Sequence, residues 1–459
     1  MTSRRLVEVS DSSWYKIGAK LAEQVVAKSS FAYDFDREAY SDEPDIETLW
    51  RKDIAPFAKN SMKRLTPLAF DLCEGFDSVL SGRKASNSTW ELLTLYEIDM
   101  FLHEFHYKCR ACKSRIMRGL RYICTHCPEN PSKSSKKKDN ELDGSVCEKC
   151  HAVNRECSQC GKEFSSTHIL YETHGLGIAN KSGCTGFGYA VPGDSVICGQ
   201  TLEMATDTYN YGRFDTIYKL ENTTSGVSVL VYDVGCILSP FGINSKGFGL
   251  CVFNLYNSDY SLSPYSSKSP RLPMAALQWE ILLRGSTRID ETVAFLKQTA
   301  STFTSASFIL ASAKDRDTTV IEITANKNWV PEPNRAVASN EDEQPPALLY
   351  NSKSHSKAIV RANNCLAGSS LKSTESLPPN ISSHKRQKNL FDSFKGVAET
   401  AVTLDWLKEA LSTPTIQTYY CLGTILMEPK QLKLHVRFRV GTRISSTLKD
   451  GGKWETFSL

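Results

Sequence analysis

The chain has 459 residues, 41% of them hydrophobic and 23% charged, and a formal net charge of +4. These values describe a folded chain of about two or three domains with a substantial core, and so small a charge excludes a wholly nucleic-acid-binding surface. No apolar run has the length of a membrane span, "MTSRRLVEVSDSS" lacks a signal core, and the terminal "FSL" lacks the basic middle residue of a peroxisomal address, so the expected location is cytoplasm or nucleus.

In chain order, apolar residues recur at helical spacing over 14–28, 62–80 and 90–102, so the first hundred residues are expected to be mainly helical. A cysteine-dense segment follows, interrupted by "PSKSSKKKDNELDG" (131–144), which reads as a flexible loop. From Phe187 the pattern changes to β-formers punctuated by Gly, Asn, Asp and Ser: "FGYAV", "SVICG", "FDTIYKL", "SVLVYDV", "GFGLCVFNLY". Two helices are predicted next, "AALQWEILLR" and "RIDETVAFLKQT", then a hairpin of "SFILASA" and "TVIEIT" about "KDRD". Residues 332–390 read as loops around one short apolar piece, and the chain closes with the helix "TLDWLKEALS" and a hairpin about "EPKQ". Strands, paired helices and strands in that order suit a layered α+β domain with antiparallel sheets, not a βαβ nucleotide fold. No Gly-rich phosphate loop is present, which removes the kinase and NTPase classes.

Eight of the fifteen cysteines form four C-x-x-C pairs: Cys109/Cys112, Cys124/Cys127, Cys147/Cys150 and Cys157/Cys160. Thiolates at that spacing can both face one tetrahedral Zn²⁺, and eight of them suffice for two closed structural sites. Thiolates that fill the coordination sphere leave no position for a reactive water, which argues against a zinc-catalytic hydrolase. The stretch "HYKCRACKSRIMRGLRYICTHCPE" followed by "VCEKC" resembles a ZZ-type zinc finger. The resemblance implies cross-bracing, with Cys109, Cys112, Cys147 and Cys150 on one zinc and Cys124 and Cys127 on the other. Cys157 and Cys160 are expected to complete the second zinc, with His168 and His151 as competing ligands. Such fingers bind short peptide tails, so a protein-tail ligand is one expectation and a zinc-stapled insertion that recognises nothing is the other. The lysines of the loop lack interleaved aromatics, which speaks against nucleic acid.

Cys184, in "NKSGCTGFGYA", has no thiol partner nearby in sequence. A thiol becomes a good nucleophile when an adjacent group takes its proton. An α-amino group, with a pKa of about 8, can be that base once the preceding peptide bond is cut. The arrangement asks for a small residue before the cysteine and a strand after it, and Gly183 and "TGFGYAV" supply both.

The sequence outside the cysteine pairs resembles the acyl-coenzyme A:6-aminopenicillanic acid acyltransferase family (C45 peptidases) of the N-terminal-nucleophile hydrolase superfamily. The resemblance is carried by "GCT" (183–185), "GQTLE" (199–203), "FGINSKGFGLCVFN" (241–254), "ASAKDRDTTVIEI" (311–323) and "GTILMEPKQLKLHVRF", with "YKIGAKLAEQ" as an opening helix. It implies a four-layer αββα sandwich with a small inserted zinc-finger module. The parts would be a helical N-terminal segment 1–103, the insertion 104–174, and a catalytic part 175–459 beginning near the nucleophile. It also implies self-cleavage at Gly183–Cys184, with Cys184 as nucleophile, Glu203 where the family has an orienting aspartate, and Asn254 at the oxyanion position. Glu203 lengthens that arm by one methylene. In "RANNC" (361–365), Asn363 is kept where the family commonly shows a His-Thr-Asn-His-like stretch. Cys198 and Cys251 are expected in the core. The expected activity is an amidohydrolase or acyltransferase taking a small-molecule acyl donor, an acyl-CoA or an amide, with two structural Zn²⁺. The alternative is a non-catalytic scaffold whose finger binds protein tails.

Overall fold

In a computed structural model the described residues are 6–26, 50–83, 87–94, 120–123, 146–153, 155–156, 165–168, 184–190, 195–203, 215–234, 237, 240–255, 270–299, 302–303, 306–323, 328–329, 348–350, 357–363, 382–398, 401–414, 416, 421–438 and 452–459. The chain divides into two compact units, one formed by 1–97 with 181–459 and the other by 98–180.

The larger unit contains two sheets. The first has eight strands in the order β1 (Leu6–Asp11), β7 (Asp215–Asn222), β8 (Val227–Val234), β9 (Pro240–Asn244), β10 (Phe248–Asn254), β11 (Ala306–Ser312), β12 (Asp317–Ile323), β13 (Asn328–Trp329). The second has seven, in the order β14 (Leu348–Tyr350), β15 (Lys357–Arg361), β5 (Thr185–Ala190), β6 (Val196–Glu203), β16 (Cys421–Glu428), β17 (Lys433–Phe438), β18 (Trp454–Ser458). Every pairing is antiparallel except β1 with β7, which is parallel. Both hairpins read from the alternating sequence are present, as β11–β12 and β16–β17. The strand β1 was not anticipated: its six residues alternate too briefly to stand out beside a strong helical pattern.

The sheets face each other, β6 against β10 and β11 and β5 against β12. Helices α1 (Trp14–Val26), α3 (Pro67–Gly82), α5 (Met274–Leu283) and α6 (Ile289–Thr299) form the layer on the first sheet. The second sheet carries α7 (Ser382–Lys395) and α8 (Leu404–Ser412). The order is helix, sheet, sheet, helix. Strand period two sorts the second sheet's side chains between these layers. Phe187, Tyr189, Ile197 and Val360 pack with Leu390, Phe394, Leu407 and Leu411 of the helices, whereas Cys198, Leu202 and Ile359 face the other sheet.

The helical pattern over 62–80 resolves into two helices, α2 (Ala55–Leu65) and α3, because Pro67 cannot donate to the ladder and pushes Thr66 to φ −136°, ψ 64°. Helices α1 and α3 then cross at backbone contact: a Cβ on Gly18 would lie 1.9 Å from the Leu72 carbonyl oxygen, and one on Gly75 would lie 1.9 Å from that of Tyr15. Every residue of α5 is buried. Its polar members are satisfied: Gln278 Nε2 donates to Pro240 O (2.9 Å), Trp279 Nε1 to Ile237 O (2.9 Å), and Glu280 Oε2 accepts from Leu68 N (3.0 Å) and Ala69 N (2.9 Å) at the start of α3.

In the smaller unit, β2 (Leu120–Ile123) is flanked by β3 (Val146–Cys147) and β4 (Ser165–His168), and the short helix α4 (Glu148–His151) follows β3 directly. Among the described residues, no helix is long and apolar enough to cross a membrane.

Candidate active site

Cys184 is buried at the head of β5, the strand that pairs with β15 on one side and β6 on the other. Its backbone N–H donates to Asn363 Oδ1 at 2.8 Å, across 179 positions of sequence. Asn363 Nδ2 donates to the Asn254 carbonyl oxygen at 2.9 Å. One carboxamide therefore joins Cys184 of the second sheet to Asn254 of the first, and its orientation follows from its neighbours: the oxygen meets N–H groups and the nitrogen meets a carbonyl.

The surroundings hold Asn363 still. Its own N–H donates to Ser383 Oγ at 2.9 Å, and Arg386 Nη2 reaches Asn363 Oδ1 at 3.4 Å. Arg386 also donates through Nη1 to the Thr185 hydroxyl, on the residue after Cys184. Thr185 is fixed from its other side, because its N–H donates to Thr201 Oγ1 (3.1 Å), which returns a bond to Thr185 O (3.3 Å). Asn363, Ser383 and Arg386 are all buried, and the last two come from α7. Sequence reading kept Asn363 without giving it a contact and placed Ser383 and Arg386 in a loop.

The two sheets are tied by buried polar side chains beside this centre. Gln200 of β6 donates from Nε2 to Val252 O (3.1 Å) and accepts at Oε1 from Val252 N (2.7 Å), two residues before Asn254. Arg361, the last residue of β15, bonds Glu322 of β12 at 2.5 Å and Ser307 of β11 at 3.1 Å. Asn254, half-buried, ends β10, and Glu203 ends β6 opposite Cys421 of β16.

Cys198 and Cys251 lie in the core, as expected from their setting. Burial pushes the Cys251 thiol well above its ordinary value, and its hydrogen bond with Cys198 and the neighbouring Cys198 and Cys184 sulfurs add to the rise. A thiol so held stays protonated and unreactive. Cys184 differs from it in lying at a strand end with its nitrogen held by a side chain.

In the smaller unit, the register sets Cys147 opposite Arg121 and His168 opposite Leu120, while Cys150 and His151 lie in α4, both half-buried. Cys109, Cys112, Cys124, Cys127, Cys157 and Cys160 lie outside the described residues. Among the described residues no three His, Cys, Asp or Glu side chains form a metal-holding group. The donor chemistry of Cys147 and Cys150, a thiol pair on a strand-to-helix turn, fits a zinc site.

No protein-family model matches the chain, and no curated protein matches it. Among solved structures, it is similar to the Caenorhabditis elegans N-acylethanolamine-hydrolyzing acid amidase ortholog, at 14% identity over 54% of this chain and 93% of that one, with a TM-score of 0.37. It is also similar to penicillin V acylase from Agrobacterium tumefaciens, at 16% identity over 56% of this chain and 84% of that one, with a TM-score of 0.36.

Proposed function

We propose that the chain is a self-processing acyl-amide hydrolase or acyltransferase of the N-terminal-nucleophile type. One observation carries this reading: the Cys184 nitrogen is held by Asn363, and the same carboxamide grips the Asn254 end of β10. Any buried backbone N–H needs an acceptor; here the acceptor is a side chain that is itself fixed to Asn254, Ser383 and Arg386. A nucleophile whose α-amine is the base needs that nitrogen kept in one place.

In maturation, Cys184 Sγ attacks the Gly183 carbonyl carbon. The carbon–nitrogen bond breaks as the Cys184 nitrogen takes the thiol proton, and water hydrolyses the resulting thioester to a Gly183 carboxylate and a free Cys184. The products are 1–183 and 184–459. In turnover the new α-amine takes the thiol proton and Sγ attacks the acyl carbonyl of an amide or thioester. The amine then returns the proton to the leaving group. The acyl group passes from sulfur to water or to an amine. Asn363 positions the α-amine, Arg386 orders Asn363 and Thr185, Asn254 meets the oxyanion, and Glu203 orients the amine from the end of β6.

For the smaller unit we propose two structural Zn²⁺, held by the four cysteine pairs with His168 and His151 as alternative ligands, in a module that binds protein tails. When bound, zinc would cross-link the segments that carry its ligands, so that its binding energy would become folding energy. Metal analysis of the purified protein should find about two zinc ions per chain.

The deciding experiment for the enzyme is denaturing mass spectrometry of wild type and Cys184→Ala, each with and without an acyl thioester. The expected result is two fragments in the wild type, an acyl adduct on the one beginning at Cys184, and an uncut, unlabelled variant. A single unlabelled chain from both proteins would overturn the reading in favour of a scaffold.

A further inference from the structure

Arg361 has a fully buried side chain between two sheets whose facing core is apolar in bulk. Its neighbours along β15 show that the position belongs to an apolar layer: Ala358 and Val360 face the helices, and Ile359, on the same face as Arg361, packs in the inter-sheet core. A buried ion pair such as Arg361–Glu322 is a poor source of stability, since apolar residues of similar volume commonly do as well or better. Its geometry is more telling.

Glu322 and Ser307 are direct cross-strand partners on β12 and β11, and Arg361 binds both. Ser307 pairs in turn with Phe253 of β10, the residue before Asn254. At the other end, Arg361 is two residues from Asn363, a span of at most about 7 Å of chain. The guanidinium thus fastens the root of the Asn363 arm to the strands that carry Asn254. The Asn363–Asn254 bond and the Arg361 anchor are two crossings of one gap between the sheets. A planar fork with several fixed donors makes such an anchor directional in a way that an ammonium does not.

We infer that Arg361 is a positioning residue: bound to Glu322 and Ser307, it sets the distance between the Asn363 arm and Asn254, and through Asn363 the place of the Cys184 nitrogen. The inference rests on the reading of Cys184 as nucleophile, and the test separates the two.

The first readout is hydrogen exchange at the backbone amide of residue 184 in a Cys184→Ala background, where that amide persists. The second is the rate of acyl-adduct formation on Cys184 at saturating thioester, in chains with the cysteine intact. Both are measured for Arg361→Met/Glu322→Leu, which keeps the volume apolar, and for Arg361→Lys, which keeps the charge without the fork. With the melting temperature maintained, the expected result is faster exchange at residue 184 and acylation reduced by about tenfold or more, with the Lys variant intermediate and the thioester concentration for half-saturation unchanged. Unaltered exchange at residue 184 and unaltered acylation in folded variants would overturn the inference. If the double variant does not fold, Arg361→Lys decides on the same readouts. Absence of any Cys184 adduct in the wild type would instead sink the enzymatic reading, and the exchange data would still report on the anchor.

Discussion

The second sheet is covered on both faces, and the two coverings differ in kind. Against α7 and α8 it meets mainly aliphatic and aromatic side chains, with Phe394, for example, edge-on to Phe187 and near Tyr189; polar contacts from Ser383 and Arg386 are confined to the end beside Cys184. Against the first sheet it meets a core that is also apolar in bulk, but pierced by Gln200, Arg361, Glu322 and Ser307, each with a partner across the gap. A hydrophobic interface alone would hold two sheets together without them. The polar crossings cluster at the end of the interface where Cys184, Asn254 and Asn363 meet. The helix face is apolar except at the site end, whereas the inter-sheet face also carries polar ties between the two sheets.

That contrast can be broken by mutation on either face. The largest effect on stability is expected from the apolar covering: Leu407→Ala in α8 should cost about 2–5 kcal/mol in denaturant unfolding, while acylation per folded molecule stays unchanged. Loss of activity at equal folded fraction would show that the two faces do not divide their roles in this way.

The outer layer of the first sheet supplies an ionisable exception, Glu280, whose pKa is pushed up to about 7 from an ordinary 4.5, chiefly by burial and against the lowering effect of the Ala69 and Leu68 amides and Arg284. A raised folded pKa means that its contribution is complete below the unfolded value and is lost as pH rises through about 7. Unfolding free energy should therefore fall by about 3 kcal/mol between pH 4.5 and pH 8 from this group, and Glu280→Gln should remove that slope. A variant with the wild-type slope would assign the pH dependence elsewhere.

On the polar face, Asn363→Leu should slow acylation roughly a hundredfold, by freeing the Cys184 nitrogen, with a smaller effect on melting. Equal losses of rate and stability would make Asn363 an ordinary core residue. The smallest expected change is for Gln200→Leu, which strands the buried N–H and C=O of Val252 and should cost about 1–3 kcal/mol, read by the denaturation midpoint.

Much of the architecture was legible in the sequence because strand alternation and turn residues act locally. The hairpins β11–β12 and β16–β17 and the helices α5 and α6 carry their own signals, and Cys184 was marked by its small neighbour and the strand after it. Helix α7 was missed for a physical reason. Its buried stripe runs Ser383, Arg386, Gln387, Leu390, Phe391, Phe394, a helical spacing whose first half is polar, with Ser383 and Arg386 bonded to Asn363 and Thr185. Hydrophobicity alone sees only the second half. The same cause hid the partners of Asn363: a bond across 179 positions of sequence leaves no periodic trace.

The parallel pairing of β1 with β7 bears on the outcome of cleavage before Cys184. Residues 6–11 would then belong to one polypeptide and the sheet they complete to another, with α1 and α3 on the same side of the cut as β1. The two products would remain a single heterodimer with a shared hydrogen-bonded sheet. They should elute together under native conditions and part only when the fold is dissolved, so maturation would change the number of chains and leave the shared sheet in place.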